Sequence, residues 1–212
     1  MLGFPAPASR MQPLPRAFYA RPVLQVARDC IGKYLIHDTR DGRVVGRIVE
    51  AEAYRGPEDR AAHSFGGRRT ARTEVMFGPP GHAYVFFVYG MHWNFNLVTT
   101  AEGAPHAVLI RAVEPVEGLE LMASRRGLAP TRRELTNGPG KLCQAFGIDR
   151  AAYGADLTSP PLFLSDGPRC AVARCPRVGV DYAGVWAARP WRFYDPTSAY
   201  VSGPLKKLTR RG

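Results

Sequence analysis

Two glutamates and a tyrosine alternate along one short segment of this chain, the run Val49-Glu-Ala-Glu-Ala-Tyr54. Residues two apart in a β-strand point to the same face, so a strand here would align Glu50, Glu52 and Tyr54. A carboxylate in that position can take a proton from water and stabilise a developing positive charge. The same acids could instead be structural partners of arginine, and the spacing alone does not distinguish Glu50 from Glu52.

The chain around this segment is strongly basic. Its 212 residues include 29 Lys and Arg against 18 Asp and Glu, a formal net charge of +11, and only four of the basic residues are Lys. The planar guanidinium of Arg suits phosphate groups and base edges. Nucleic acid is therefore the first partner that the charge predicts, and an anionic membrane surface is the second. High genomic GC content could explain the preference for Arg, but not the excess of base over acid.

Length and composition predict a single domain over residues 17–208, preceded by a disordered arm rich in Pro and Ala over residues 1–16. The N-terminus has no secretory signal, and no apolar run approaches the roughly 20 residues of a membrane span. The four cysteines form no CxxC pair, and no His follows Cys170 and Cys175 at a zinc-like spacing. We expect free thiols, no metal and a cytosolic location.

The elements that would position the acidic strand follow from turn residues and apolar runs. Asp41-Gly42 predicts a hairpin turn before the strand. The Arg-rich loop over residues 55–82 has a length typical of functional loops. Its arginines and Lys141 are expected to meet phosphates as a group, although each one alone could be a solvated surface charge. Other strands are predicted at 33–37, 83–88, 93–100 and 107–113, with a tight reversal at 89–92, and helices at 22–31, 115–126 and 142–146.

Several blocks of residues, in order along the chain, resemble one enzyme family. They are residues 49–64, 76–77, 84–91, 94–96, 111–115, 138–145 and 177–180, followed by Trp186 and residues 192–194. From about Phe18 to near Lys207 the chain resembles the 3-methyladenine (alkyladenine) DNA glycosylases of the AAG/MPG type. The resemblance implies an α+β fold, with a single compact domain around a curved antiparallel β-sheet, peripheral helices and a β-hairpin that probes DNA.

The resemblance also implies an activity. Such enzymes hydrolyse the N-glycosidic bond of damaged purines and leave an abasic site for base excision repair. The expected substrates are 3-methyladenine, 7-methylguanine and hypoxanthine, with 1,N6-ethenoadenine as a further candidate. Because a base inside a duplex is out of reach, the enzyme must flip the target nucleotide out of the stack. The expected partner is double-stranded DNA containing damaged purines, bound by a monomer without a cofactor, in a bacterial cytoplasm with its nucleoid or in a eukaryotic nucleus.

Tyr89 is the candidate for the side chain that enters the DNA. It lies at the predicted hairpin tip before Gly90, and the resemblance assigns it the role of the intercalating residue. Side chains that wedge between base steps hold distorted DNA in this way. The alternative is an aromatic ring packed across its own hairpin.

Four residues are candidates for the base pocket. By resemblance, Tyr54, His63 and Phe86 stack on or border the flipped base, and Asn96 disfavours the exocyclic amine of normal guanine. Aromatic stacking contributes about 1–3 kcal/mol per base and tolerates many bases. Phe86 departs from the Tyr of mammalian relatives and so lacks a phenol. On the residues alone, Phe86 could be core, His63 a loop histidine and Asn96 a turn residue.

The resemblance selects Glu52 as the general base. Arg111 would help hold the attacking water and a phosphate, and the backbone carbonyl of Val178 would be a further ligand of that water. Cleavage through an oxocarbenium-like sugar needs an ionised carboxylate nearby, and an adjacent Arg opposes the cost of burying one. No metal is expected in the site.

Two other functions remain open on the sequence. One is a catalytically silent protein that recognises damaged DNA, against which the Glu52 and Arg111 pair argues. The other is an RNA-binding or RNA-modifying β-domain, although no aromatic pair typical of RNA recognition is present. A β-lyase needs a deprotonated amine as nucleophile. With only four lysines in the chain, and none at the pocket positions, we expect a monofunctional enzyme.

Overall fold

The longest strand, β2 (Gly42–Tyr54), organises the fold. In the computed structural model, which describes residues 11–203, β2 pairs antiparallel with β1 (Tyr34–Thr39) over its first half and with β5 (His106–Glu117) over most of its length. Where β1 ends, β8 (Arg192–Tyr194) takes its place beside residues 50–52 of β2. The acidic segment therefore lies between two strands, in the middle of the sheet.

The remaining strands extend this sheet on both sides. Their order is β3-β4-β5-β2-β1-β6, with β7 paired to β8, and every pairing is antiparallel. The strands are β3 (Ala83–Val88), β4 (His92–Thr99), β6 (Leu162–Ser165) and β7 (Ala173–Cys175). The curled sheet and its few helices form one compact α+β domain, as predicted.

Four helices lie in the described part of the chain. They are α1 (Arg16–Tyr19), α2 (Val23–Asp29), α3 (Leu119–Arg126) and α4 (Pro139–Phe146). Apolar side chains of α2, α3 and α4 bury one face of the sheet in a single hydrophobic core. None of the helices in residues 11–203 has the length and apolar character needed to cross a membrane.

Two irregularities in the pairing of β2 with β5 orient the acidic segment. The register shifts between Ile48 and Glu50, leaving Val49 without a partner, and shifts again between Glu50 and Ala51, which leaves Arg111 of β5 without one. Such bulges change which face a side chain points to. Ile48 packs in the core before the shift and Ala51 after it. Ile48 and Ala51 are three residues apart, and in a regular strand an odd separation puts two side chains on opposite faces. The extra residue at Val49 places both in the core and so directs Glu50 and Glu52 away from it.

The region around Pro115 corrects one prediction. Pro115 does not begin a helix but lies in β5 beside Gly46, at a register shift where a missing N–H is tolerated. The helix begins at Leu119, after Gly118. Gly118 has φ 79°, and a Cβ there would lie 2.4 Å from the carbonyl oxygen of Arg43, so the close approach requires glycine.

The first hairpin turn is also displaced by one residue from its prediction. Thr39 pairs with Gly42, so the two-residue turn is Arg40-Asp41 rather than Asp41-Gly42. Residues 1–10 of the predicted arm, and residues 204–208 at the end of the predicted domain, lie outside the described residues. Residues 11–16 lie against the sheet, where the Leu14 N–H donates to the Leu164 carbonyl at 2.7 Å. Residues 11–16, which were predicted to belong to the disordered arm, therefore contact the sheet.

Candidate active site

An open cavity of about 430 Å³ lies where β2, β3, β4 and β5 meet the start of α4 and the segments around residues 61–63 and 178–182. Seven of the eight predicted site residues line it: Tyr54, His63, Phe86, Tyr89, Asn96, Arg111 and Val178. The eighth, Glu52, is fully buried and is bound by three of these residues. The fold thus brings together residues that are up to 126 positions apart in the chain.

Glu52 accepts three hydrogen bonds. Its Oε1 accepts from the backbone N–H of Val178 at 2.8 Å, and its Oε2 accepts from the Tyr54 hydroxyl at 2.8 Å and from Arg111 Nη1 at 3.3 Å. A carboxylate offers about four lone-pair positions, so these three donors leave one for a further donor. Burial, with the charge of Glu52, raises the pKa of the Tyr54 phenol well above its ordinary value. Tyr54 is therefore a permanent proton donor to this acid at neutral pH.

Glu50 has a different environment on the same strand face. It accepts from Arg111 Nε at 2.8 Å, Arg192 Nε at 2.6 Å, the Ser202 N–H at 2.6 Å and the Ser202 hydroxyl at 3.0 Å. Three of these donors share Oε1, and the Ser202 N–H binds Oε2. Because Arg192 and Ser202 lie outside the cavity lining, Glu50 belongs to the structural frame of the site.

Arg111 joins the two acids. Burial disfavours its cation, but the charges of Glu52 and Glu50 outweigh that effect and raise the pKa of Arg111. The bulge in β5 releases this residue from regular pairing with β2, so that its side chain can reach both carboxylates and the Ser202 hydroxyl at 3.2 Å. Its hydrogen bonds to Glu50, Glu52 and Ser202 therefore fix the position of the guanidinium.

Arg177, the residue before Val178, links the Val178 segment to the rest of the site. Arg177 is buried and forms a two-pronged ion pair with Asp59, while also donating to the Ala53 carbonyl at 2.9 Å. Its guanidinium carbon lies 4.7 Å from the centre of the Tyr54 ring. The ion pair thus connects the end of β2, the loop after it and the Val178 segment. For Val178, the structure shows a bond through the N–H, and the predicted role of its carbonyl stays a prediction.

Aromatic side chains form the other end of the cavity. The His63 and Phe86 rings lie 4.6 Å apart between centroids, and His63 Nδ1 lies 2.8 Å from the Tyr84 hydroxyl. Partial desolvation, together with the charges of Arg72 and Arg68, lowers the pKa of His63 to about 4. The imidazole faces the open cavity and is neutral at pH 7. Burial raises the pKa of Tyr84 to about 12, so its hydroxyl is also neutral.

Sequence reasoning missed Tyr84 and Arg72. Tyr84 alternates with Phe86 on β3 and lines the cavity, and this period-two spacing could have revealed it. Arg72 places its guanidinium carbon 4.7 Å from the centre of the Phe86 ring. One loop arginine is therefore a neighbour of the aromatic wall. Another, Arg69, is paired with Glu74.

Asn96 and Tyr89 differ sharply in exposure. Asn96 is buried, and its amide nitrogen donates to the Tyr84 carbonyl at 3.0 Å, so it is neither a turn residue nor free to rotate. Tyr89 is 85% exposed at the β3–β4 tip and has φ 52°, a left-handed conformation that is costly for a residue with a Cβ. The exposure contradicts the alternative in which the ring packs on its own hairpin.

The four cysteines are free thiols. Within residues 11–203, no group of three or more His, Cys, Asp or Glu side chains is arranged to hold a metal ion. The described residues place a buried carboxylate and its arginine beside an aromatic cavity.

An aromatic cavity whose lining residues hold a buried acid, in a strongly basic protein, fits an enzyme that acts on a nucleic-acid base. The chain belongs to the methylpurine-DNA glycosylase (MPG) family, whose model matches residues 17–199. It is accordingly a DNA glycosylase of the 3-methyladenine type, and DNA is its substrate.

Similar curated proteins support this assignment. A protein of Methanocella arvoryzae is 55% identical over 194 residues, which cover 91% of this chain and 96% of that protein. A protein of Desulfitobacterium hafniense is 51% identical over 201 residues, covering 91% and 99%, and one of Myxococcus xanthus is 53% identical over 195 residues, covering 90% and 94%. Each carries the name "Putative 3-methyladenine DNA glycosylase".

Proposed function

We propose that this glycosylase is monofunctional and acts in base excision repair on flipped alkylated or deaminated purines, with Glu52 as the general base. The observation that carries the proposal is the difference between the two acids. All three residues that donate to Glu52 line the cavity, whereas Arg192 and Ser202, which donate to Glu50, do not. A water molecule held beside Glu52 could transfer its proton to the carboxylate while attacking C1′ of the sugar.

The charges suit the developing transition state. Loss of the purine leaves positive charge on the sugar, which the carboxylate of Glu52 stabilises. Arg111 and the Tyr54 hydroxyl hold that carboxylate in place through Oε2. We further propose that Arg111 helps to bind the water and a neighbouring phosphate, and that the Val178 carbonyl is a further ligand of the water.

Substrate choice would follow from the opposite end of the cavity. We propose that the flipped purine stacks among Tyr54, His63 and Phe86, and that the fixed amide of Asn96 disfavours normal guanine. The proposed substrates are 3-methyladenine, 7-methylguanine, hypoxanthine and 1,N6-ethenoadenine. Phe86 offers a stacking face without a phenol, so discrimination must rest on shape and on the other polar groups.

DNA entry would rely on the exposed hairpin tip. We propose that Tyr89 fills the space left by the flipped nucleotide, since its ring already projects into solvent at the cavity rim. The enzyme would work as a monomer on damaged duplex DNA, in the bacterial cytoplasm with its nucleoid or in a eukaryotic nucleus.

A lyase step is absent from this proposal. Lys141 lines the cavity, a placement that was not expected, but its Nζ donates to the Asn137 side chain at 2.8 Å. A Schiff base would need that amine deprotonated and free to attack the sugar. Borohydride treatment during turnover should therefore trap no covalent complex between protein and DNA.

A panel of duplexes that differ only in the lesion tests the proposal. Each duplex is incubated with wild-type protein and then heated in alkali, which breaks the strand at abasic sites. Wild type should cleave the methylpurine and hypoxanthine duplexes, and Glu52→Gln should be slower by about 100-fold or more, the usual contribution of a positioned general base. A wild type inactive on the whole panel would overturn the proposal. Full activity of Glu52→Gln would overturn the assignment of the base.

A further inference from the structure

The short 3₁₀ helix Asp181–Trp186 presents two large apolar side chains to water. Val185 is 76% exposed and Tyr182 is 70% exposed. Among the large apolar side chains of residues 11–203, only Tyr89 at the hairpin tip is more exposed. Exposure of two large apolar side chains on one short element makes it a candidate contact surface. We refer to Tyr182 and Val185 as the rim pair.

Buried contacts hold the backbone that carries the rim pair. Ala183 is fully buried between the two exposed residues and packs with Ala61 and Val180. The Trp186 carbonyl accepts a hydrogen bond from Arg177, and the Trp186 ring lies 5.5 Å from that of Trp191. The exposed side chains are thus preorganised, which lowers the entropy lost on binding.

Gly184 gives the backbone an unusual conformation between Tyr182 and Val185. It has φ 60° and ψ −129°, a conformation outside the regions that other residues readily adopt. A Cβ at Gly184 would meet no atom within 4 Å, so space does not require the glycine. The backbone conformation does require it, and that conformation lies directly before Val185.

The rim pair adjoins the candidate active site. Tyr182 lines the same cavity as Tyr89 and Val178, and Val178 binds Glu52. Two cations lie in the same region, since Lys141 also lines the cavity and the Arg189 guanidinium lies 5.6 Å from the ring of Trp186, the residue after Val185. A ligand that reaches Glu52 from the Tyr182 side would therefore meet an apolar surface with cations beside it.

We propose that the rim pair is a second DNA-contact surface, which packs against the apolar faces of the sugars, or of the adjacent base, in the damaged strand beside the flipped nucleotide. This inference rests on the proposed function. A nucleotide strand is the occupant that matches an apolar, aromatic surface next to cations, because sugars and bases offer apolar faces between phosphates. Tyr89 would fill the space left by the flipped nucleotide, while the rim pair would contact the damaged strand beside that nucleotide.

Binding to a duplex with a stable abasic-site analogue tests the inference without any excision. Tyr182→Ala should raise Kd by about 5- to 20-fold, in the range of one lost stacking contact, and Val185→Ser should raise it less. Tyr182→Phe should bind like wild type, because the ring is retained. Val172→Ser is the control for Val185→Ser, since Val172 is 40% exposed and belongs to neither the 3₁₀ helix nor the cavity lining. Thermal melting checks that each variant is folded.

Single-turnover excision on a 3-methyladenine duplex supplies a second measurement. At saturating enzyme, Tyr182→Ala should retain the wild-type rate, because the residue binds the strand and does not act on the bond. An unchanged Kd for folded Tyr182→Ala, or a loss of rate at saturation instead of affinity, would overturn the inference. So would a wild-type dimer, seen by sedimentation, that Tyr182→Ala dissociates while DNA affinity stays constant. A wild type that excises no purine would instead count against the proposed function.

Discussion

Replacing Glu50 should destabilise the protein, whereas replacing Glu52 should slow excision with a smaller loss of stability. In Glu50→Gln, one carboxylate oxygen becomes an amide NH₂. If that group takes the Oε1 position it faces Arg111 Nε and Arg192 Nε, and if it takes the Oε2 position it faces the Ser202 N–H. Either orientation sets a donor against a donor and removes the negative charge between two buried arginines.

The structure allows the cost to be estimated. Glu50 and Arg192 are both fully buried, and removing one partner of such a pair costs about 3–5 kcal/mol. For a protein of this size, each kcal/mol lowers Tm by about 2–4 °C, so the expected decrease is about 6–20 °C. In Glu52→Gln, the remaining oxygen can still accept from the Val178 N–H, and the Tyr54 hydroxyl can accept from the new NH₂. The loss should be about 1–2 kcal/mol, mainly from the bond to Arg111.

Melting followed by circular dichroism, with excision assayed well below Tm, separates the two roles. Glu74→Gln is the control, because it removes an acid from an exposed pair with Arg69 and should leave both melting and excision unchanged. The reasoning would be refuted if Glu50→Gln melted within about 3 °C of wild type. It would also be refuted if folded Glu50→Gln lost excision while Glu52→Gln kept it.

Four further outcomes are expected. Tyr54→Phe loses the hydrogen bond to Glu52 and should slow single-turnover excision by about 3- to 10-fold, from about 0.5–1.5 kcal/mol, with little change in DNA affinity; an unchanged rate would count against this bond. The pKa of His63 is lowered from 6.5 to about 4, so the unfolded chain binds more protons between these values. Urea unfolding should show stability rising with pH across that window, less steeply in His63→Gln. Asp59→Asn breaks the buried pair with Arg177 and should destabilise the protein by about 3–5 kcal/mol, which equal urea midpoints would contradict. Excision of neutral hypoxanthine should decline at alkaline pH because its departure needs a proton, while excision of cationic 7-methylguanine should not, so identical pH profiles would disprove this difference.

Local features of the sequence predicted most of the elements. A β-prone apolar run identified the strand at 83–88, and the reversal after it identified the returning strand at 93–100. Glycines ended the helices at Gly127 and Gly147, both of which are left-handed. Pro115 was misread because its ring conformation suits a helix start as well as a strand irregularity, and only the pairing with β2 distinguishes the two.

The sequence by itself determined that two acids and a phenol share one strand, and that the chain carries its family's ordered blocks. Period-two geometry is a local property of the backbone, so it needs no partner. It could not separate Glu50 from Glu52, because their difference lies in donors that arrive from far along the chain, Arg192 and Ser202 for one and Val178 for the other. The bulges at Val49 and Arg111 likewise exist only where β2 meets β5. Tertiary structure alone decided that Glu52 binds three residues of the cavity lining while Glu50 binds Arg192 and Ser202 outside it, because the hydrogen-bond partners of a buried group depend on every segment that packs around it.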